Sequence, residues 1–174
     1  SDSSLTGAGA IAHALRGFGV ETAFGLPGVH NLALWPAFAE AGIRIVGSRH
    51  EQGTVYAADG LARVTGGLGV ALTTTGPGAA NTVGAIGEAW ASHAPVVVIA
   101  TDIPSTQRRP NVYRGVLHES IAQAAMFVAV TKSTIDVADP ATGRHARTTA
   151  RLALRLAMAI DTTLATSPGF RLGC

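Results

Sequence analysis

In the stretch RIVGSRHEQGTVYAADGLARVTG (44–66), a strand-like apolar run from Ile43 to Val46 meets Ser48-Arg49-His50-Glu51, and a small-residue pattern of helical period follows. Charged residues make up only 14% of the chain, so three charged or titratable side chains at one strand-to-helix junction call for a reason. Two chemistries compete for Glu51. A carboxylate in the first turn of a helix complements the helix dipole, with Arg49 available as a neighbouring partner. A carboxylate fixed at a strand end can also exchange a proton with a ligand. His118-Glu119 poses the same choice: polar residues opening a helix, or an imidazole available for proton transfer near neutral pH.

Two glycine-bearing stretches could bring backbone close to a ligand. They are GLPGVHN (25–31) and TTTGPGAANT (73–82), each at the end of a predicted strand. Glycines there admit close approach, and helix-start N–H groups favour anions. The second lacks the Gly-Lys-Ser/Thr of a phosphate-binding P-loop, so a tight structural turn explains it equally well. GAGAIA (7–12) fits the dinucleotide pattern G-x-G-x-x-A, but that motif needs a strand before it. Only Ser1 to Thr6 precede it, so small residues in a packed helix are the better reading, and a nicotinamide-binding domain is disfavoured.

Composition excludes several classes. The one cysteine, Cys174, is terminal, which removes an internal disulfide framework and a Cys-based metal site and suits a cytoplasmic protein. A net charge of +2 does not argue for nucleic acid, and the row Arg144, Arg147, Arg151, Arg155 lacks interleaved aromatics and reads as a solvated helix face. No basic-then-apolar leader opens the sequence, and PVVVIA (95–100) is far too short to span a bilayer.

The elements that must position these residues alternate. Helices are predicted at 4–18, 31–42 (Asn31 as N-cap, Gly42 closing it), 50–65, 76–94, 118–128 and 139–160. Strands are predicted at 21–28, 43–48, 68–75, 95–102 and 131–137, with an irregular basic loop at 103–116. This order gives an open parallel α/β sheet with helices on both faces, in one domain over 1–174. The run 95–102, apolar throughout, is expected to be covered on both faces. The closing segment TTLATSPGFRLGC is a poor strand, so the last strand of the sheet is expected to be missing. The loops at 25–31, 48–51 and 74–78 all fall at carboxyl ends of strands, where open α/β sheets bind ligands. Low charge further predicts surface covered by a partner, self-association included.

In order, GVETAFGLPG, RHEQGTVYAADGLARVTG, TTTGPGAANT and APVVVIATD resemble the N-terminal pyrimidine-binding domain of thiamine-diphosphate-dependent enzymes, the acetolactate synthase and 2-oxo acid decarboxylase family. The resemblance implies that Glu51 hydrogen-bonds N1′ of the cofactor's aminopyrimidine and promotes the imino tautomer that takes the thiazolium C2 proton. It implies that Pro27 and Gly28 pack on one side of the pyrimidine and Thr74, Gly76 and Asn81 on the other. Where acetolactate synthases carry Phe-Gln-Glu, this chain has Leu117-His118-Glu119. A histidine there is closer to the decarboxylase branch, where it serves acid–base steps. That branch also carries an acid just after the first Pro-Gly, whereas here Val29-His30 follows. His30 and His118 are therefore the candidates for contact with a small 2-oxo acid. The Gly-Asp-Gly…Asn motif that holds Mg²⁺ and the diphosphate is absent: ADG (58–60) lies inside a predicted helix. The central and diphosphate-binding domains are thus missing from this sequence. The resemblance implies an isolated chain without turnover, completed in a homo-oligomer by a diphosphate-binding domain. FAD, bound by acetolactate synthases, is not supported by any residue here. The alternative is a non-catalytic α/β subunit that pairs with a separate diphosphate-binding chain.

Overall fold

The computed structural model describes residues 6–104, 107, 109 and 111–135. Along them run α1 (Gly7–Gly17), β1 (Thr22–Gly25), α2 (Leu34–Glu40), β2 (Arg44–Gly47), α3 (Glu51–Thr65), β3 (Gly69–Thr73), α4 (Pro77–Ala80), α5 (Val83–Ala91), β4 (Val96–Ala100), a 3-10 turn (Val116–His118) and α6 (Ala125–Val128). The four strands form one parallel sheet in the order β2-β1-β3-β4.

Successive residues of a strand face opposite sides of the sheet, and here each side has its own core. Ala23 of β1 and Val70 and Leu72 of β3 pack with Ala12 and Leu15 of α1 and Leu34 and Phe38 of α2. Ala71 of β3 packs on the other side with Val55 and Ala58 of α3 and Ala85 and Ile86 of α5, and Phe24 of β1 borders that cluster. Helices therefore cover both faces, and the central strand β3 is buried at every position.

Local chemistry explains the helix ends. Thr6 caps α1 by accepting from the Gly9 N–H at 3.1 Å. GAGAIA lies inside that helix with Ala10 and Ala12 buried, so those small residues serve packing. Gly42 (φ 74°) and Gly66 (φ 69°) take the left-handed conformation just past α2 and at the end of α3, where β-carbon-bearing residues are strained. Pro36 sits in the first turn of α2, where its missing N–H costs nothing. In α3, Asp59 is buried and receives two bonds from Arg63, at 2.9 and 2.8 Å. Arg63 also reaches Glu88 of α5 at 3.4 Å, tying the two helices together. The hydrogen bond to Asp59 raises the Arg63 guanidinium above its ordinary pKa.

Gly60, by contrast, is exposed in the middle of α3, and a Cβ there would meet nothing within 4 Å. Gly60→Ala is expected to stabilise the domain by about 0.5–1 kcal/mol, read from the midpoint of a urea titration.

Several expected elements differ. The helix predicted over 76–94 is two, α4 and α5, separated at Asn81-Thr82. The buried Thr82 hydroxyl donates to the Ala79 carbonyl at 2.7 Å, a local bond that competes with continuous helix. Asn31 does not cap α2: the residue at that position is Ala33, and the Asn31 side chain is spent inside the preceding loop. The helix predicted over 118–128 shrinks to the four residues of α6. Leu117 (φ 48°) and His118 (φ 68°) lie in the left-handed region, and the side chain of Gln123 is bonded to neighbouring loops. Residues 131–135 form no strand; Thr131 instead donates to the Phe127 carbonyl at 2.8 Å and continues the turn after α6. β4 is half-buried throughout rather than covered, because it is the edge of the sheet among the described residues. The helix expected at 139–160, its arginine row and the question of a closing strand lie outside the described residues.

Candidate functional site

Because all four strands are parallel, their carboxyl ends share one edge, and four loops leave from it. The loop after β1 leads to α2 on one face of the sheet, whereas the loop after β3 leads to α4 and α5 on the other. Neighbouring strands whose connections part in this way open a crevice between them, the place where open α/β sheets take ligands.

Close approach defines this crevice. A Cβ on Gly28 would lie 2.5 Å from the Thr74 Cβ, so the loops after β1 and β3 touch at a point only glycine allows. A Cβ on Gly78 would lie 2.7 Å from the Thr74 methyl and 3.3 Å from Glu51 Oε1, which brings the loop after β2 against the same turn. Gly76 adopts φ 59°, ψ −113°, and a Cβ there would run into the backbone of His118. The expected residues Gly28, Glu51, Thr74, Gly76, Asn81 and His118 are thus brought to one edge. Pro27 is exposed beside Gly28. His30 follows in the same loop, with its Nε2 buried and without a hydrogen bond.

Glu51 is the first residue of α3. His50 is the cap of that helix, its Nδ1 accepting from the Gln52 N–H at 3.2 Å, while the Ser48 hydroxyl donates to the His50 carbonyl at 2.8 Å. The histidine of the Arg-His-Glu block therefore has a positioning role, since it sets where the helix starts and so where Glu51 stands. Arg49 is exposed and makes no ion pair with Glu51 among the described residues. The half-buried Glu51 carboxylate instead accepts from Asn81 Nδ2 at 3.0 Å through Oε2. One oxygen is thus held in place, and the other accepts no hydrogen bond among the described residues.

Two residues that sequence reasoning did not assign to the site complete the frame. Asn31 is fully buried; its Oδ1 accepts from the Gly28 N–H at 2.8 Å and its Nδ2 donates to the Leu26 carbonyl at 2.9 Å. Gln123 is buried too, its Oε1 accepting from the Gly76 N–H at 2.7 Å and its Nε2 donating to the Thr101 carbonyl at 2.8 Å. In all three carboxamides the partners fix which end faces which, since a backbone N–H can only donate and a carboxylate only accept. Asn31 carried a signal of its own, a polar residue next to a Pro-Gly loop. Gln123 carried none, because it acts across 47 positions of sequence.

Among the described residues no cluster of three His, Cys, Asp or Glu side chains could hold a metal ion, and no helix is long and apolar enough to cross a membrane.

Residues 5–126 match the family described as "Thiamine pyrophosphate enzyme, N-terminal TPP binding domain". The chain is 43% identical over 128 residues to the "Probable 2-ketoarginine decarboxylase AruI" of Pseudomonas aeruginosa, covering 74% of this chain and 22% of that protein. It is 33% identical over 136 residues to the "Probable acetolactate synthase large subunit" of Methanocaldococcus jannaschii, covering 78% of this chain and 22% of that one. It is 38% identical over 126 residues to the mouse "2-hydroxyacyl-CoA lyase 2", covering 72% and 19%. The chain thus spans about a fifth of the length of these relatives. The parallel sheet, its glycine-lined crevice and the matched residues have one source: this chain belongs to the thiamine pyrophosphate (thiamine diphosphate) enzymes, as an N-terminal TPP-binding domain.

Proposed function

We propose that this chain supplies the aminopyrimidine-activating half of a cytoplasmic thiamine-diphosphate enzyme acting on 2-oxo acids. The observation that carries the proposal is Glu51, with Oε2 held by Asn81 and Oε1 left open beside the glycine turn. A flat heteroaromatic ring suits a crevice whose walls have been thinned to glycine at Gly28 and Gly78. When bound, thiamine diphosphate supplies the carbon nucleophile that adds to a 2-oxo acid carbonyl. Glu51 then exchanges a proton with the ring through Oε1, while Asn81 keeps the carboxylate from swinging away. Gly28, Thr74 and Gly76 shape the slot, and Pro27 borders it. His118, whose backbone lies against Gly76, and His30, in the loop after β1, are the histidines we assign to the substrate.

A diphosphate needs Mg²⁺ or clustered cations; among the described residues no side-chain cluster could hold a metal ion, and the resemblance places the Mg²⁺ motif outside this sequence. The Mg²⁺ and diphosphate are therefore held by another domain, on the same polypeptide or on a partner chain. The relatives, of which the matched region makes up only 22%, support that division. Assembly of the site between subunits makes a homo-oligomer the working form. Whether the whole protein decarboxylates or joins two substrates is set by the parts that meet this edge, and the relatives' names cover both outcomes.

Calorimetric titration of thiamine diphosphate with Mg²⁺ tests the division of labour. Tight, Mg²⁺-dependent binding is expected for the complete protein and not for residues 1–174 alone. Tight binding by the isolated chain would sink it. In the complete protein, Gly28→Ala is expected to raise the cofactor's dissociation constant about tenfold or more, the equivalent of about 1.4 kcal/mol. Thr74 cannot yield without moving the turn after β3, so an unchanged constant would remove Gly28 from the slot.

A further inference from the structure

We infer that Gln123 is a positioning residue for the Gly76–Gly78 turn, and through that turn for Asn81 and Glu51. The inference rests on the proposed cofactor role of this edge. Gln123 lies outside every motif stretch and does not touch Glu51. Its carboxamide is buried, and both of its ends are engaged at the carboxyl edge of the sheet. Oε1 takes the N–H of Gly76, which would otherwise be a buried donor without a partner. Nε2 gives to the Thr101 carbonyl, which also accepts from the Thr75 hydroxyl at 3.2 Å. Thr101 in turn donates its N–H to the Thr73 carbonyl at 3.3 Å, just beyond the β3–β4 ladder. Gln123 thus ties the turn after β3 to the end of β4.

The chain from that tie to the carboxylate is short. Gly76, in a backbone conformation strained for any other residue, opens α4. Pro77 and Gly78 follow, with Gly78 backed against Thr74 and Glu51 Oε1. The Asn81 N–H donates to the Pro77 carbonyl at 2.9 Å, and its side chain holds Glu51 Oε2. If the Gly76 N–H is released, the turn loses its only side-chain anchor from the far side of the crevice among the described residues. The hydrogen bond that places the Glu51 carboxylate then depends on a looser segment.

Two variants separate this role from general stability. Gln123→Met keeps the length and removes both bonds; Gln123→Glu keeps an acceptor for the Gly76 N–H. Amide hydrogen exchange by NMR on the 174-residue chain is the first measurement. The Gly69 N–H, bonded to the Pro95 carbonyl at the other end of β3, serves as the internal control. In Gln123→Met, exchange at Gly76 is expected to accelerate at least about tenfold with Gly69 unchanged, and Gln123→Glu is expected to restore slow exchange at Gly76. Unchanged Gly76 exchange in the Met variant, or equal acceleration at Gly69, would overturn the inference.

The second measurement is exchange of the thiamine diphosphate C2 proton in the complete enzyme, with Glu51→Gln alongside. Gln123→Met is expected to slow it about 10–100-fold, with partial recovery in Gln123→Glu. If Glu51→Gln abolishes exchange and Gln123→Met leaves it intact, the positioning role is wrong and the cofactor reading stands. If Glu51→Gln has no effect while Gly76 is released in the Met variant, the cofactor reading is wrong and the hold on the turn stands.

Discussion

Glu51→Gln in the complete enzyme is expected to slow exchange of the thiamine diphosphate C2 proton with solvent by about 10²–10⁴-fold, the range of a positioned acid–base group. The substitution is close to isosteric, so the geometry survives while the proton-exchanging oxygen is lost. The glutamine can place its oxygen or its NH₂ toward Asn81 Nδ2. With the oxygen there, the NH₂ occupies the place of Oε1, and an amide N–H can neither hand a proton to the ring nor take one back. With the NH₂ there, two donors face each other at about the 3.0 Å of the present contact, and the turn carrying Asn81 is pushed away. Either way the step suffers while the fold does not. Circular dichroism and the melting transition are expected to stay at wild-type values. Deuterium incorporation at C2, followed by NMR after acid quench, reads the step directly. An unchanged rate would remove Glu51 from the chemistry and return it to the bland role of a helix-start carboxylate.

The second large effect concerns the scaffold. Gly69 opens β3, and a Cβ there would lie 2.7 Å from the Ala58 carbonyl carbon and 3.3 Å from its Cα, with the carbonyl oxygen nearer still. These are backbone atoms in the middle of α3, so no side-chain rotation can relieve the overlap. Gly69→Ala must lift α3 from the sheet, and Ala58, fully buried, leaves no slack beneath it. A cost of at least about 3 kcal/mol is expected, at the upper end of overpacking. That is a large fraction of the roughly 5–15 kcal/mol typical of a domain. A urea midpoint within error of wild type would show that α3 sits more loosely than described. The contrast with Gly60→Ala, one residue type on the same helix–strand unit with the opposite expected sign, tests the packing rather than glycine in general.

The parts legible in the sequence were those governed by short-range periodicity. The strand-like runs at 95–102 and 68–75 follow from strands that feed two cores. The small-residue pattern after Glu51 follows from a helix pressed on a sheet. The glycine loops at 25–31 and 73–82 were legible because close approach and left-handed turns leave a residue-type signature. The misplaced elements lie where a side chain reaches across the chain. Asn31 looked like a helix cap because it precedes a helical pattern, yet two backbone groups of its own loop claim it. The stretch 118–128 has helical spacing, but Gln123 is drawn to Gly76 and Thr101, and the backbone at Leu117 and His118 turns the wrong way for a helix. At Asn81-Thr82 the side chains bond Glu51 and Ala79, and a predicted single helix becomes two. Position along the edge was thus written in local pattern, and the pins that hold it were written in tertiary contact.

The loops of this crevice hang on amide side chains: Asn31 for the Pro-Gly loop, Asn81 for the Glu51 carboxylate, Gln123 for the glycine turn. A carboxamide neither gains nor loses a proton over the range in which proteins stay folded. Each tether is therefore uncharged, and what it holds is set by the direction of a donor and an acceptor rather than by an ion pair.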